Sequence, residues 1–429
     1  MELRVHAWRR PTVACVLAAA LAVSGCTADS SAGPESGSVS GSVSASGSSA
    51  ESAGAQPPDS SSPGGSEQFT PIVMTVMSTP QWFTGTDGKV HLTYELELTN
   101  AFPVAVTVAK VVTLNADGGG IVQTLAGDQL SASMSLLVPQ TEKVTQLPAA
   151  TIGVVWMDIV LDDPAQLPER IEHELTVDVP PGLPVPATIT SKGAPADVAV
   201  DPPTVLGPPL TDSGWIAVGS CCDGPHRRTV QPINNDLWVA QRFAIDFNKV
   251  NEAGLLASGD PTKNENWFTY DQPVLAVADA TVTTAVDNLP DQVPEAPEPV
   301  TIEDADGNYV ILEVADAKYA FYAHLKPGSV AVKAGDTVTK GQIIGRTGNS
   351  GSSTGSHLHF QMMDRPSALL ANGVPYVFDA FTLTGRGPAL ANLLASNPAT
   401  DPVPIDTAGA GPRTDQLPLS SDVVEFAAQ

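Results

Sequence analysis

Alternation of apolar and polar residues is the feature that most constrains the fold of this chain. In the segment VHLTYELELT, residues 90–99, apolar side chains occupy every second position. Successive side chains of a strand point to opposite faces, so the pattern predicts a half-buried antiparallel strand. The segment IEHELTVDV, residues 171–179, alternates in the same way. From these patterns we expect His91 to lie on the surface and His173 at the edge of the core.

Proline and glycine limit the alternatives to strands. The 429 residues include 36 Gly and 38 Pro, which disfavour long helices and favour turns. The segment NADGGG, residues 115–120, is typical of a turn between two strands. The sequence therefore predicts an all-β, mainly antiparallel protein that begins with a β-sandwich.

The charge of the chain excludes one class of partner. The formal net charge is -26, and only 16% of the residues are charged. An acidic surface repels phosphate groups, so we expect no binding to nucleic acid.

The first 26 residues have the features of a bacterial export signal. Three arginines lie within the first ten residues, and the apolar run from Val13 to Val23 is too short to span a bilayer. The run ends in VSGC, which resembles the lipobox of bacterial lipoproteins. That resemblance implies cleavage after Gly25, attachment of lipid to Cys26 and an extracytoplasmic, membrane-anchored protein. The alternative is ordinary secretion, with cleavage nearby.

Changes of composition divide the rest of the chain. The stretch after Cys26 is almost entirely Ser, Gly, Ala and Pro, with no Lys or Arg, and predicts a disordered tether. The predicted segments are a lipoprotein signal peptide (1–25), the tether (26–68), the sandwich (69–180), a Pro-rich linker (181–212), a second domain (213–385) and a Pro/Ala-rich tail (386–429).

Two histidines in the segment GSHLHF, residues 355–360, raise the question of a metal site. On a strand, His357 and His359 would point to the same face. Neutral imidazole is the commonest metal ligand, but two solvated histidines at a strand edge would give the same pattern. The choice depends on the rest of the second domain.

Four segments of the second domain are informative together: AQRFAIDF (240–247), YAHL (322–325), GDTVTKGQIIGRTGNSG (335–351) and HLHF (357–360). In this order they resemble the lysostaphin/LytM-type zinc endopeptidases, which cut peptide cross-bridges in bacterial cell walls. The resemblance implies a twisted antiparallel β-sheet of the duplicated hybrid motif type for residues 213–385.

The resemblance also implies a zinc site in which one ligand is replaced. An H-x-x-x-D motif supplies two ligands in the family, and the second histidine of H-x-H supplies the third; the matching residues are Asp246 and His359. The first ligand position holds Arg242, which has no lone pair to offer. A guanidinium at about 4 Å would repel a dication by roughly 8 kcal/mol at an effective dielectric constant near 20. We therefore expect weak zinc binding and an ion pair between Arg242 and Asp246, and we expect Arg242→His to restore zinc.

A nearby segment offers substitute ligands. SCCDGPHRR, residues 220–228, contains Cys222 and His226, and thiolate and imidazole both suit zinc. The favoured alternative is a disulfide between Cys221 and Cys222, with His226 as a surface residue, because Cys15 would leave with the signal and Cys26 would carry lipid.

His324 and His357 match the two histidines of the family that are not ligands. In the family they orient or deprotonate the attacking water and stabilise the developing oxyanion. The alternative is a hydrogen-bonded polar network in a binding groove.

Two functions follow from these residues. The first is a zinc metallo-endopeptidase that cleaves peptidoglycan cross-links in the cell envelope. The second is a catalytically degenerate LytM-type domain that binds the cell wall or regulates another cell-wall hydrolase.

Overall fold

The N-terminal domain is a sandwich of two five-stranded antiparallel sheets. The structure is a computed structural model that describes residues 67–140 and 142–427. The elements of this domain are β1 (Ile72–Val76), β2 (Gln81–Thr84), β3 (Val90–Asn100), β4 (Val106–Asn115), β5 (Ile121–Ala126), α1 (Gly127–Ser133), β6 (Met134–Leu136), β7 (Gln146–Leu147), β8 (Ile152–Leu161), a 3-10 helix (Pro164–Gln166), β9 (Arg170–Asp178) and β10 (Thr188–Asp197). One sheet has the order β1-β3-β8-β6, with β2 also paired to β3, and the other has the order β10-β9-β4-β5, with β7 paired to β4.

Strand β3 is buried on both faces over most of its length, so the prediction of a half-buried strand is wrong. Leu92 and Tyr94 face the core of the sandwich, as expected. Glu95 points the other way and is nevertheless buried, because residues of the second domain cover this face. His91 on the same face is only 5% exposed, which corrects its expected surface position.

Strand β9 shows the predicted alternation, with every second side chain buried. His173 belongs to the buried set and is fully enclosed rather than at the edge of the core. Its ring lies between Tyr94 and the backbone oxygen of Ala194 and bonds to both.

The C-terminal domain is built on one ten-stranded sheet. Its elements are β11 (Thr204–Leu206), β12 (Asp212–Val218), a 3-10 helix (His226–Arg228), β13 (Gln231–Ile233), β14 (Asp236–Trp238), β15 (Ile245–Lys249), a 3-10 helix (Asn264–Asn266), β16 (Pro273–Leu275), β17 (Ala280–Val286), β18 (Asn308–Ala315), β19 (Lys318–Leu325), β20 (Thr337–Val338), β21 (Ile343–Arg346), β22 (Leu358–Met363), β23 (Tyr376–Phe378), β24 (Phe381–Arg386), α2 (Leu390–Ala395), β25 (Gly411–Arg413) and β26 (Asp422–Phe426). The order of strands in the ten-stranded sheet is β20-β17-β18-β19-β22-β15-β12-β26-β24-β25.

The two segments predicted to be a Pro-rich linker and a Pro/Ala-rich tail contain strands. The predicted linker 181–212 includes β10, which pairs with β9 of the sandwich, and β11, which pairs in parallel with β23. The predicted tail 386–429 includes β26, which lies between β12 and β24. Proline did not prevent the pairing of β10 because Pro195 lies where the register of that strand is irregular, a position that proline tolerates.

The fold class is confirmed, since antiparallel strands dominate and the two α-helices have seven and six residues. Among the described residues, no helix is long and apolar enough to cross a membrane. The signal peptide, Cys26 and nearly all of the tether lie outside the described residues.

Candidate metal centre and active site

Three neighbouring strands bring the predicted site residues together. In the ten-stranded sheet, β22 lies between β15 and β19. Asp246 of β15 is directly opposite His359 of β22, and His359 is directly opposite Ala323 of β19, the residue before His324. Residues that are distant in sequence therefore share one place on the sheet.

His226 completes a set of three ligand groups. It begins the short 3-10 helix after β12, and its Nε2 lies 3.3 Å from Oδ2 of Asp246. Its ring centroid is 4.9 Å from that of His359. The ligand atoms of His226, Asp246 and His359 all lie within 4.8 Å of one another. His226 is thus not a surface residue, because its side chain is 12% exposed and packs into this centre.

The hydrogen bonds of the two histidines determine which ring nitrogen can bind a metal. A backbone oxygen only accepts, so Nδ1 of His226, 3.2 Å from the oxygen of Gly219, carries its proton outward. Nε2 of His359 donates to Oε1 of Gln361 at 2.8 Å, while its Nδ1 lies 2.9 Å from Asp246. Each ring can thus turn a lone pair toward the carboxylate, the arrangement by which outer hydrogen bonds orient metal ligands. The residues fit a zinc ion, which accepts two imidazoles and one carboxylate.

His324 and His357 lie beside this set. Nδ1 of His324 donates to the backbone oxygen of Ser350 at 2.8 Å, and Nδ1 of His357 donates to that of Gly355 at 2.8 Å. The two rings are 4.7 Å apart, and Nε2 of His357 is 3.5 Å from Asp246. His324 also has a φ of 58°, a left-handed conformation that is rare outside glycine and that tends to occur at functional sites.

Burial and neighbouring groups set the charges in the centre. Burial lowers the pKa of His324 well below 6.5 and also lowers the pKa of His357, so both imidazoles are neutral at pH 7. Burial opposes ionisation of Asp246, but His226 and His357 outweigh it and hold the pKa of that carboxyl well below 3.8. Burial also disfavours the charged form of His359, but the hydrogen bond to Asp246 prevails and raises the pKa of His359 in the metal-free protein.

Arg242 does not make the expected ion pair with Asp246. It lies in the turn before β15, and its guanidinium is directed to the sandwich, where it bonds to Glu95 and Ser78. The expected ion pair does not form because Arg242 lies outside the strand, which begins at Ile245, and so does not share a strand face with Asp246. The charge predicted to oppose zinc is instead paired with a buried carboxylate.

Cys222 is not at the metal centre. Its sulfur is bonded to that of Cys221 and lies 3.7 Å from Nδ1 of His91. A disulfide sulfur has no thiolate to offer a metal. Of the two substitute ligands considered, only His226 reaches Asp246 and His359.

Sequence reasoning missed two residues that support the centre. Gln361 follows His359 by two residues on β22, and this spacing on one strand face was the available signal. Glu95 lies in the other domain, and nothing in the sequence connects it to Arg242.

The comparisons with known proteins support this interpretation of the second domain. Residues 267–371 match the model described as peptidase family M23. The chain carries an M23 peptidase domain of the LytM type. The matched range contains three of the site histidines, His324, His357 and His359, whereas His226 and Asp246 precede it.

Two curated proteins are similar over short stretches. The chain is 41% identical over 59 residues to "Peptidoglycan DD-endopeptidase ShyA" of Vibrio cholerae serotype O1. The aligned stretch covers 14% of this chain and 13% of that protein. It is 46% identical over 55 residues to an "Uncharacterized metalloprotease" of Haemophilus influenzae, which is 13% of this chain and 11% of that protein. The chain thus spans little more than a tenth of the length of these relatives.

Two solved structures are also similar to the chain. The catalytic domain of lysostaphin from Staphylococcus simulans is 23% identical, with 38% of this chain and 88% of that chain covered and a TM-score of 0.21. A zinc containing peptidase from Vibrio cholerae is 15% identical, with 65% and 80% covered and a TM-score of 0.24.

Proposed function

We propose that the C-terminal domain is a zinc metallo-endopeptidase that cleaves peptide cross-links of peptidoglycan, with His226 in the place of the ligand that Arg242 cannot supply. The observation that carries this proposal is the convergence of His226, Asp246 and His359, whose ligand atoms lie within 4.8 Å of one another. The relatives named as a peptidoglycan endopeptidase and a metalloprotease support the substrate class and the reaction type.

The side chains divide the work between binding and proton transfer. His226, Asp246 and His359 would hold the zinc ion, which when bound polarises the scissile carbonyl and makes water acidic enough to attack near pH 7. His357 and His324 are neutral at pH 7, so either imidazole can accept the proton of the attacking water and return it to the leaving amine. The outer hydrogen bonds to Ser350 and Gly355 hold these two rings in place.

Zinc content and peptide release from purified peptidoglycan test the proposal together. We expect the full chain to bind about one zinc ion and to release peptides, and we expect His226→Ala to lose both, because two of the three ligands hold zinc poorly. His91→Gln is the matched control, since His91 lies outside the centre and should leave both measurements unchanged.

Three results would contradict the proposal in different ways. Native zinc content in His226→Ala would exclude His226 as a ligand. A native chain that binds no zinc but still binds peptidoglycan would favour the degenerate domain that regulates another hydrolase. A native chain that binds zinc but releases no peptide would remove the proposed substrate.

We further propose that the protein acts outside the cytoplasm, attached to the membrane through lipid on Cys26. The basic start and VSGC support the anchor, and peptidoglycan as substrate supports the location. Cys26 lies outside the described residues, so membrane fractionation is the test.

A further inference from the structure

The buried carboxylate of Glu95, in the sandwich, contacts the two chain segments that carry the proposed ligands His226 and Asp246. Glu95 on β3 accepts hydrogen bonds from Arg227 and from Arg242. Arg227 directly follows His226, and Arg242 lies four residues before Asp246. The three side chains of this Glu95 triad are at most 1% exposed. A single residue of the N-terminal domain is thus connected to two of the three proposed ligands.

Arg227 fixes the first of these segments. Besides its bond to Glu95, its Nη2 donates to the backbone oxygens of Tyr94 at 2.9 Å and Met157 at 2.8 Å. These acceptors lie on the paired strands β3 and β8. A planar guanidinium that bonds to several fixed acceptors has little freedom, so the backbone at Arg227, and with it His226, is held against the sandwich.

Arg242 fixes the second segment. Its Nε donates to Oε1 of Glu95 at 3.0 Å, and its Nη2 bonds to Oε2 of Glu95 and to Ser78. Its backbone N–H donates to Val239 and closes the turn that leads into β15. Asp246 is the second residue of that strand, so this contact holds the point from which the strand starts.

Burial of the three charges of the triad is energetically unfavourable, because it removes them from water, and a well-packed apolar cluster often stabilises a protein as much or more. A buried cluster of charges is therefore better explained by the single geometry that it specifies than by a gain in stability. We propose that Glu95 is a positioning residue of the metal centre, which places His226 through Arg227 and Asp246 through Arg242. This inference rests on the proposed function, in which those residues bind zinc.

Zinc titration of the full chain, native and Arg227→Gln, tests the inference by a measurement other than activity. Loss of an outer contact that orients a ligand typically lowers metal affinity by about 10–100-fold, and we expect a fall in that range. Removing a positive charge near a cation would, by itself, raise the affinity. A fall therefore identifies positioning rather than charge. Arg227→Lys, which keeps the charge but lacks the planar fork, should bind with intermediate affinity.

A second contact between the domains provides the control for a general loss of stability. The hydroxyl of Thr86 in the sandwich donates to Asp422 of β26, and both residues are buried. Thr86→Val should lower the stability against urea without changing the zinc affinity, because neither residue adjoins a ligand. In Arg227→Gln, Glu95 keeps Arg242 as its partner, so this variant retains a paired carboxylate.

The possible outcomes separate this inference from the proposed function. Zinc affinity in Arg227→Gln equal to or above that of the native chain would overturn the inference and leave the proposed function intact. An equal loss of zinc affinity in Thr86→Val would show that stability alone explains the result. Absence of zinc from the native chain would overturn the proposed function and, with it, this inference.

Discussion

His173 should make the stability of the sandwich fall as the pH decreases. The ring is buried and neutral, since Nδ1 donates to Ala194 at 2.9 Å and Nε2 accepts from Tyr94 at 2.8 Å. Burial lowers the pKa of His173 from 6.5 to about 4. Below pH 6.5 the unfolded chain binds a proton at His173, whereas the folded chain binds it only near pH 4. The free energy of unfolding therefore decreases across this range as the pH falls.

The size of the effect follows from the two pKa values. A fall from 6.5 to about 4 corresponds to a loss of roughly 3 kcal/mol once the pH is below both values, of which about 2 kcal/mol is lost by pH 5. That is a large part of the 5–15 kcal/mol by which a typical domain is stable. The substitution His173→Gln keeps a donor and an acceptor but cannot titrate.

Urea unfolding at pH 8 and pH 5 measures this contribution in the native chain and in His173→Gln. We expect the native chain to lose about 2 kcal/mol more than the variant between the two pH values. All other titrating groups cancel in this difference. His91→Gln should have the opposite effect on the pH dependence, so that this variant loses more stability than the native chain as the pH falls. Burial opposes the charged form of His91, but Asp158 outweighs burial and raises the pKa of His91. The charged His91 therefore stabilises the fold at low pH. Equal pH dependence of the native chain and His173→Gln would refute the reasoning.

Four further outcomes are expected. Arg242→His should bind zinc more weakly than the native chain in a calorimetric titration, because it breaks the contact with Glu95; a gain of affinity would restore the interpretation based on the motif alone. His357→Gln should keep its zinc by elemental analysis and lose about 10²–10⁴-fold in the rate of peptide release, and an unchanged rate would exclude His357 as the base. A thiol reagent should find no reactive group in unreduced protein whose Cys26 carries lipid, whereas two reactive thiols would show that Cys221 and Cys222 are not paired. Cys26→Ser should leave the membrane fraction, and full retention there would reject the anchor.

Much of the fold could be predicted from local patterns. The alternation in β9 and the turn signals indicate an antiparallel all-β protein, because side-chain direction along a strand depends only on local geometry. The error at β3 has a different origin. Its polar face looks like a face exposed to solvent, since a glutamate such as Glu95 is rarely buried without a partner. The partners of Glu95 come from the second domain, more than a hundred residues away, and local patterns carry no information about them. His91 pairs with Asp87 and Asp158 of the sandwich itself.

The candidate site was predictable to the extent that its residues lie in short motifs. His324, His357, His359 and Asp246 are identified by resemblance, and the sheet places them near one another. His226 could be named only as one of two substitutes for the missing ligand. Choosing it over Cys222 required the position of a loop whose course depends on contacts with the sandwich.

The residue type at position 242 and the position of its side chain lead to opposite conclusions about zinc binding. In the sequence it occupies a ligand position, where a cation within about 4 Å of zinc would remove most of the affinity. In the structure the guanidinium is paired with Glu95, so the repulsion that argues for a degenerate domain does not arise in that form. The same carboxylate also binds Arg227, the neighbour of His226. One buried carboxylate thus contacts both Arg242, at the expected ligand position, and the neighbour of His226, the residue proposed to bind zinc in its place.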